Sequence, residues 1–136
     1  MSLSLDLASL RAKYLAGTLT PSKLVDALEQ RLAVVADDAI WISRVSPPAL
    51  RAAARGLEQR AARDGIAGMP LYGIPFAVKD NIDVAGMSTT AGCPAFAYQT
   101  RRDATVIARL KRAGALVIGK TNLDQFATGL AGVRSP

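Results

Sequence analysis

The sequence predicts an α/β protein in which N-terminal helices are followed by the first strands of a β-sheet flanked by helices. Three observations carry this reading. Apolar residues in the first part of the chain recur at helical spacing. Ile74, Phe76 and Val78 alternate with Pro75, Ala77 and Lys79 as in a strand, and Ala115-Leu116-Val117-Ile118 is a fully apolar strand. A helical stretch lies between these two, so strand, crossover and strand read as a parallel pair.

The elements follow in order. Leu3, Leu7, Leu10 and Tyr14 share one face of a first helix that Gly17 can close. Thr20-Pro21 reads as N-cap and first position of a second helix, with Leu24, Leu28, Leu32 and Val35 as its stripe and Asp37-Asp38 as its end. Ile40–Val45 is a short strand. Ser46-Pro47 opens a third helix with Leu50, Ala54, Leu57 and Ala61 on its apolar side. Arg51, Arg55, Glu58 and Arg63 lie opposite, as a solvated face.

Residues 81–102 form a long connection holding Gly86, Thr89-Thr90, Gly92 and Pro94, and a loop of that length is often a working part. Asp103 caps the next helix, whose stripe is Val106, Leu110 and Ala113, and Gly114 ends it. Asn122-x-x-Gln125 reads as a variant capping box opening a short helix that stops at Gly129. The organisation expected is a helical segment over 1–68 and the start of an α/β core over 69–136. The outer edge of Ala115–Ile118 is expected to be open.

Composition excludes several classes of function. The 136 residues are half hydrophobic and 21% charged, enough to bury a core. Seventeen Lys and Arg against eleven Asp and Glu give a charge of +6, but the charges are scattered and only 5% of residues are aromatic. That is no stacking platform for nucleic acid. The absence of histidine removes Ser-His-Asp, Cys-His and His-metal chemistry, and the single Cys93 removes disulfides and cysteine metal clusters. No metal and no cofactor are therefore expected. Met1–Asp6 lacks the basic start of a signal peptide, and no apolar run is long enough to span a bilayer. A cytoplasmic protein without membrane association is the expectation.

Two motifs invite chemistry. Gly114-Ala-Leu-Val-Ile-Gly119-Lys120-Thr121 satisfies the P-loop pattern letter for letter. A P-loop, however, needs flexible backbone N–H groups between a strand and a helix, and here the strand lies between the glycines. The plainer reading is helix stop, core strand, and a turn into the next helix. Lys79 is the other motif. At a strand end beside Asp80, a lysine is ordinarily a solvated charge or half of an ion pair. Its apolar flanks, its small neighbours Pro75 and Ala77, and the Gly/Thr-rich loop after it favour an inward-facing amine. Desolvation there would yield a neutral base able to activate a serine without histidine.

Leu71–Ile82 (LYGIPFAVKDNI) and Asp103–Asp124 (DATVIARLKRAGALVIGKTNLD) together resemble the amidase signature family, closely over about residues 70–136 and loosely over the N-terminal helices. The resemblance implies the amidase signature fold, a mixed β-sheet flanked by helices, here incomplete. Within the family, Asn81–Tyr98 and Asn122–Pro136 are most similar to the allophanate-hydrolysing branch. The rival branch, the A subunits of glutamyl-tRNA(Gln) amidotransferases, shows Met-Asp-Glu-Phe where this chain has Leu123-Asp124-Gln125-Phe126.

The resemblance implies a Ser–cis-Ser–Lys hydrolase of linear amides, with Lys79 as base and a small-molecule amide as substrate. A homo-oligomer is compatible with the full-length protein. Ala127, Thr128 and Gly129 match positions that line the substrate site in the family, or else form a simple helix end. The family's two serines lie in a Gly-Gly-Ser-Ser-Gly-like segment, which this chain lacks; Ser135 lies in the approach to it. The chain is thus expected to be an N-terminal portion, inactive alone. A non-catalytic remnant is the reading from a different class.

The P-loop reading is directly testable. Calorimetry with Mg-ATP should show no saturable binding to the chain or to Lys120→Ala, and a magnesium-dependent micromolar site would overturn the strand reading.

Overall fold

The computed structural model describes residues 4–34 and 39–136. Leu3, Val35 and Asp37-Asp38 lie outside the described residues. The remainder forms two interleaved compact units. One takes residues 4–34, Val45–Pro75 and Leu110–Leu116; the other takes residues 39–44, Phe76–Arg109 and Val117–Pro136.

The first unit is mainly helical. Helix α1, Leu7–Leu15, starts at Asp6, whose carboxylate accepts from Ser9 N at 2.8 Å. That bond to the helix N-terminus lowers the Asp6 pKa from its ordinary value. Leu10 and Tyr14 are buried, whereas Leu7 is half exposed. Helix α2, Pro21–Val34, has Thr20 Oγ1 accepting from Lys23 N at 3.3 Å, as the Thr-Pro start predicts. Its buried residues are Pro21, Leu24, Val25 and Leu28.

Helix α3, Pro47–Asp64, packs against α2 with Leu50 and Ala54 buried. Its polar side is less solvated than its charge pattern suggests. Arg51 Nε meets Asp26 Oδ1 at 3.3 Å and its guanidinium also pairs with Glu29, both on α2. Glu58 Oε1 accepts from Ser22 N at 2.8 Å, covering an orphan donor in the first turn of α2. The polar side of α3 therefore aligns two helices while remaining partly wet.

The turn at Gly73 is the tightest point of this unit. The Tyr14 hydroxyl donates to Gly73 O at 2.9 Å, and its ring meets Tyr72 edge-on, with centroids 5.2 Å apart. Burial pushes the Tyr14 hydroxyl pKa well above its ordinary value. Gly73 has φ +67°, and a Cβ there would lie 2.6 Å from the Tyr14 oxygen. Only glycine satisfies both constraints.

The second unit holds most of the sheet. Strands β1 (Trp41–Arg44), β2 (Pro75–Lys79) and β5 (Leu116–Thr121) lie in the order β1-β5-β2. Bonds from Leu116 N to Ile74 O and from Asp80 N to Thr121 O advance in the same sense along both strands, so β2 and β5 are parallel. β1 runs antiparallel to β5, which makes the sheet mixed. β5 is central, and β1 covers the edge that was expected to be open. It is also longer than expected: Gly119, Lys120 and Thr121 pair with Arg44, Ser43 and Trp41. They belong to the strand and not to a turn.

Helix α4, Thr105–Arg112, buries Ile107 and leaves Val106 half exposed, so Ile107 takes the place expected for Val106 while Leu110 stays partly buried. Asp103 Oδ1 accepts from Ala85 N at 2.8 Å, tying the helix entry to the long connection. That connection is ordered by two short antiparallel strands, β3 (Ser88–Thr89) and β4 (Tyr98–Gln99). The expected last helix is a single 3-10 turn, Gln125–Ala127. Asn122 does not start it: its amide donates to Ala39 O and Pro136 O, and its Oδ1 accepts from Leu123 N.

The Tyr14–Gly73 clasp predicts graded losses. Tyr14→Phe should cost about 1 kcal/mol by removing one buried hydrogen bond. Gly73→Ala should cost more, about 2 kcal/mol or above, through its positive φ and the clash. Urea melts of the chain should rank the midpoints wild type, Tyr14→Phe, Gly73→Ala; equal midpoints would refute the clasp.

Candidate active site

β2 divides its residues between two environments. Val78 and the following Asp80 are buried, while Ala77 and Lys79 are exposed. The expected alternation is present, but its consequence for Lys79 is reversed. Its side chain leaves the sheet on the side opposite Asp80, and the residue is exposed among the described residues. The inward position belongs to Asp80, one residue further on.

Asp80 is fully buried and faces a second charge that sequence reasoning missed. Lys120 Nζ, also fully buried, lies 2.9 Å from Asp80 Oδ1. This contact is electrostatic and lacks hydrogen-bond alignment, since Oδ1 has no hydrogen-bond partner. Lys120 Nζ donates its hydrogen bonds to Ser88 O at 3.2 Å and Thr89 Oγ1 at 3.1 Å. Asp80 Oδ2 accepts from Thr90 N at 3.0 Å and from the Thr90 hydroxyl. The P-loop lysine is thus a strand residue, with its amine committed inside the fold.

A second carboxylate extends the network. Asp83 Oδ1 accepts from Thr89 Oγ1 at 2.9 Å and from the Tyr98 hydroxyl at 2.8 Å. The bond to Asp83 holds the Tyr98 proton and pushes its pKa up, with some help from desolvation. The Thr-rich loop after Lys79 is therefore anchored to Asp80, Asp83 and Lys120. One signal for this was present in the sequence: Lys120 stands in an apolar strand run, where a charge requires a partner.

The loop also connects Lys79 to the other expected site residues. Ala91 N donates to Asp80 O at 3.2 Å, and Phe126 N donates to Ala91 O at 2.9 Å. Gln125 Nε2 adds a bond to Gly92 O at 3.3 Å. Two successive backbone bonds thus link the strand end bearing Lys79 to the turn containing Ala127, Thr128 and Gly129.

Ala127 and Thr128 are exposed and Gly129 is half-buried. Phe126 and Ala127 both have positive φ, 54° and 56°, a conformation that costs energy in residues other than glycine. Asp124 holds the turn in place: its carboxylate accepts from Gly132 N at 3.0 Å and Arg134 N at 2.8 Å. Gly129 packs directly on that carboxylate, and a Cβ there would lie 2.1 Å from Oδ2. The segment follows the end of the 3-10 turn, with Thr128 as its C-cap. The segment is a strained, carboxylate-centred turn.

No helix among the described residues is long and apolar enough to cross a membrane. Ser135 Oγ donates to Gly132 O at 3.0 Å within the exposed C-terminal turn. The geometry thus supplies a lysine at a strand end, a rigid Thr-rich loop beside it and a strained turn bonded to that loop.

The sequence and the fold are similar to those of known proteins. The chain is 48% identical over 114 residues to urea amidolyase from Saccharomyces cerevisiae, covering 84% of this chain and 6% of that protein. An allophanate hydrolase from Kluyveromyces lactis superposes on the whole chain with a TM-score of 0.81 and 42% identity, over 22% of its own length. The glutamyl-tRNA(Gln) amidotransferase of Symbiobacterium thermophilum has an A-subunit that is 38% identical over 134 residues, 96% of this chain and 27% of that one. The chain spans only a small part of each. The family model that matches, over residues 23–136, is Amidase, and the chain belongs to that family.

Proposed function

We propose that this chain is the N-terminal part of a Ser–cis-Ser–Lys amide hydrolase acting on allophanate, with Lys79 as its base. The observation that carries the reading is the placement of Lys79 at the outer end of β2, bonded through Asp80 and Ala91 to the turn at 126–129. The similarity to urea amidolyase and allophanate hydrolase supports the choice of substrate. A cytoplasmic location and a domain division near residue 68 belong to the same reading.

In this mechanism the face bearing Pro75, Ala77 and Lys79 is covered in the whole enzyme by the segment that carries both serines. Covering takes the amine out of water and disfavours its charged form, as a base requires. The nucleophilic serine attacks the amide carbon while the bridging serine passes its proton toward Lys79. Backbone N–H groups hold the oxyanion. The lysine returns the proton to the leaving nitrogen, ammonia departs, and an acyl ester remains on the serine. Water then adds and is split: its hydroxyl joins the acyl carbon and its proton returns to the serine oxygen. The dicarboxylated amine released from allophanate loses carbon dioxide unaided, ending in ammonia and carbon dioxide.

Ala127, Thr128 and Gly129 would line the substrate site. The Asp124-centred turn exposes Ala127 and Thr128 and keeps their backbone rigid. The amidotransferase reading is the second one, favoured by a match that covers nearly the whole chain, although at lower identity than the urea amidolyase match.

The test places residues 1–136 at the head of the Kluyveromyces lactis allophanate hydrolase, in exchange for its matching segment. Lys79→Ala in that protein should lower kcat for ammonia release about a thousandfold or more, with the fold intact by circular dichroism. Loss of less than tenfold would remove Lys79 from the base role. Residues 1–136 alone should release no ammonia from allophanate, since base and nucleophile would be on different segments.

A further inference from the structure

We propose that Arg134 is a specificity-determining residue that binds the carboxylate of the substrate with its guanidinium. The inference deepens the reading above and rests on it, taking the turn at 126–129 as a wall of the site and an anionic amide as the substrate. It arises from a requirement of that substrate. In allophanate a single nitrogen separates the carboxylate from the amide carbon that reacts, so whatever binds the carboxylate must stand beside the reacting centre. An anion leaving water for such a place needs a cation or several donors there. Lys79 cannot be that cation, because a base has to be neutral, and Lys120 is held inside the fold by Asp80.

Arg134 is tied to the turn itself. Its Nη1 donates to Thr128 Oγ1 at 3.3 Å. The Thr128 hydroxyl gives its own proton to Gln125 O at 2.9 Å, which leaves its oxygen as an acceptor for the arginine. The backbone of Arg134 is fixed on both sides, its N–H donating to Asp124 Oδ1 at 2.8 Å and its carbonyl accepting from Gln125 N at 3.1 Å. Asp124 is the acid of this turn, but its carboxylate is occupied by the N–H groups of Gly132 and Arg134. Among the described residues the Arg134 guanidinium has no carboxylate partner. An arginine held by one neutral hydrogen bond keeps its charge and its other N–H donors, and its planar fork matches a carboxylate. The left-handed backbone of Phe126 and Ala127 points the same way, since strain of that kind is kept where a turn has work to do.

The test uses the exchanged allophanate hydrolase described above, with malonate and malonamide as probes. Malonate repeats the carboxylate and carbonyl of the substrate about one carbon, and malonamide has the same skeleton without charge. In calorimetry, Arg134→Gln should weaken malonate binding about tenfold to a hundredfold and leave malonamide binding unchanged. KM for allophanate should rise by the same factor, while kcat falls less than about threefold. Arg101→Gln removes an exposed charge outside the turn and should leave malonate binding within about twofold of the unsubstituted protein.

A loss for malonate that malonamide does not share supports the proposal. Absence of malonate binding in the unsubstituted protein, an equal loss for both probes, or a matching loss in Arg101→Gln overturns it. The first would mean no anion site, the second a distorted turn, and the third a diffuse field. If Arg134→Gln fails to fold, Arg134→Lys decides, since it keeps the charge but not the fork: a loss of about threefold or more confined to malonate supports the proposal, and no loss overturns it. Binding is read without turnover, so failure here is distinct from failure of the base assignment, which kcat of Lys79→Ala reports.

Discussion

Asp80 and Lys120 place two full charges in a sheet interior, and much of the second unit is arranged around that fact. A charge taken out of water is tolerated only if it is paired and its remaining hydrogen-bonding capacity is used. Lys120 meets this with Asp80, Ser88 and Thr89; Asp80 meets it with Thr90 at Oδ2, while its Oδ1 has only the charge of Lys120. The partners besides the pair itself come from the connection after β2, so satisfying the charges folds that connection. The loop in turn supplies Ala91 O to Phe126 N and Gly92 O to Gln125 Nε2, fixing the turn that follows β5. Removing one member of a buried pair typically costs about 3–5 kcal/mol, comparable with the stability of a small domain.

An apolar pair of similar volume could give equal stability, so stability alone does not account for these residues. Register does. Side chains alternate along a strand, and a slip of one residue between β2 and β5 would move Lys120 to the opposite face from Asp80. Val117 on β5 and Val78 on β2 are buried but carry no such information, because an aliphatic contact is satisfied in several registers. The charge pair is satisfied in one.

The strands were legible in the sequence because period-two alternation and a short apolar run are local signals, and β2 and β5 lie where those signals are. The amidase resemblance was legible for the same reason, being carried by two contiguous blocks. What was not legible depended on partners distant in sequence. Gly119-Lys120-Thr121 looks like a turn until β1, from the other side of the long third helix, pairs with it. Asn122 looks like a cap until Ala39 and Pro136 claim its amide. Val106 stands in the expected stripe where Ile107 is the buried residue, because a helix as short as α4 leaves its apolar phase to be decided by what it packs against. Lys79 was expected to face inward because its flanks are apolar. Alternation was known, but which face is buried is a property of the sheet's neighbours and not of the strand.

For the base proposed at Lys79, the consequence lies in that alternation. A base needs freedom from interior ion pairing together with a fixed position, and one side chain cannot supply both. Two consecutive strand residues can. Asp80 points into the dry interior, where Lys120 and Thr90 hold it, while Lys79 leaves the same stretch of backbone on the other side. The rigidity is made on one face and used on the other, with a single peptide unit transmitting it. Had Lys79 been the buried residue, as its neighbours suggested, its amine would have had to pair as Lys120 does. A paired ammonium is an anchor. The outward position leaves Lys79 available to whatever surface covers β2.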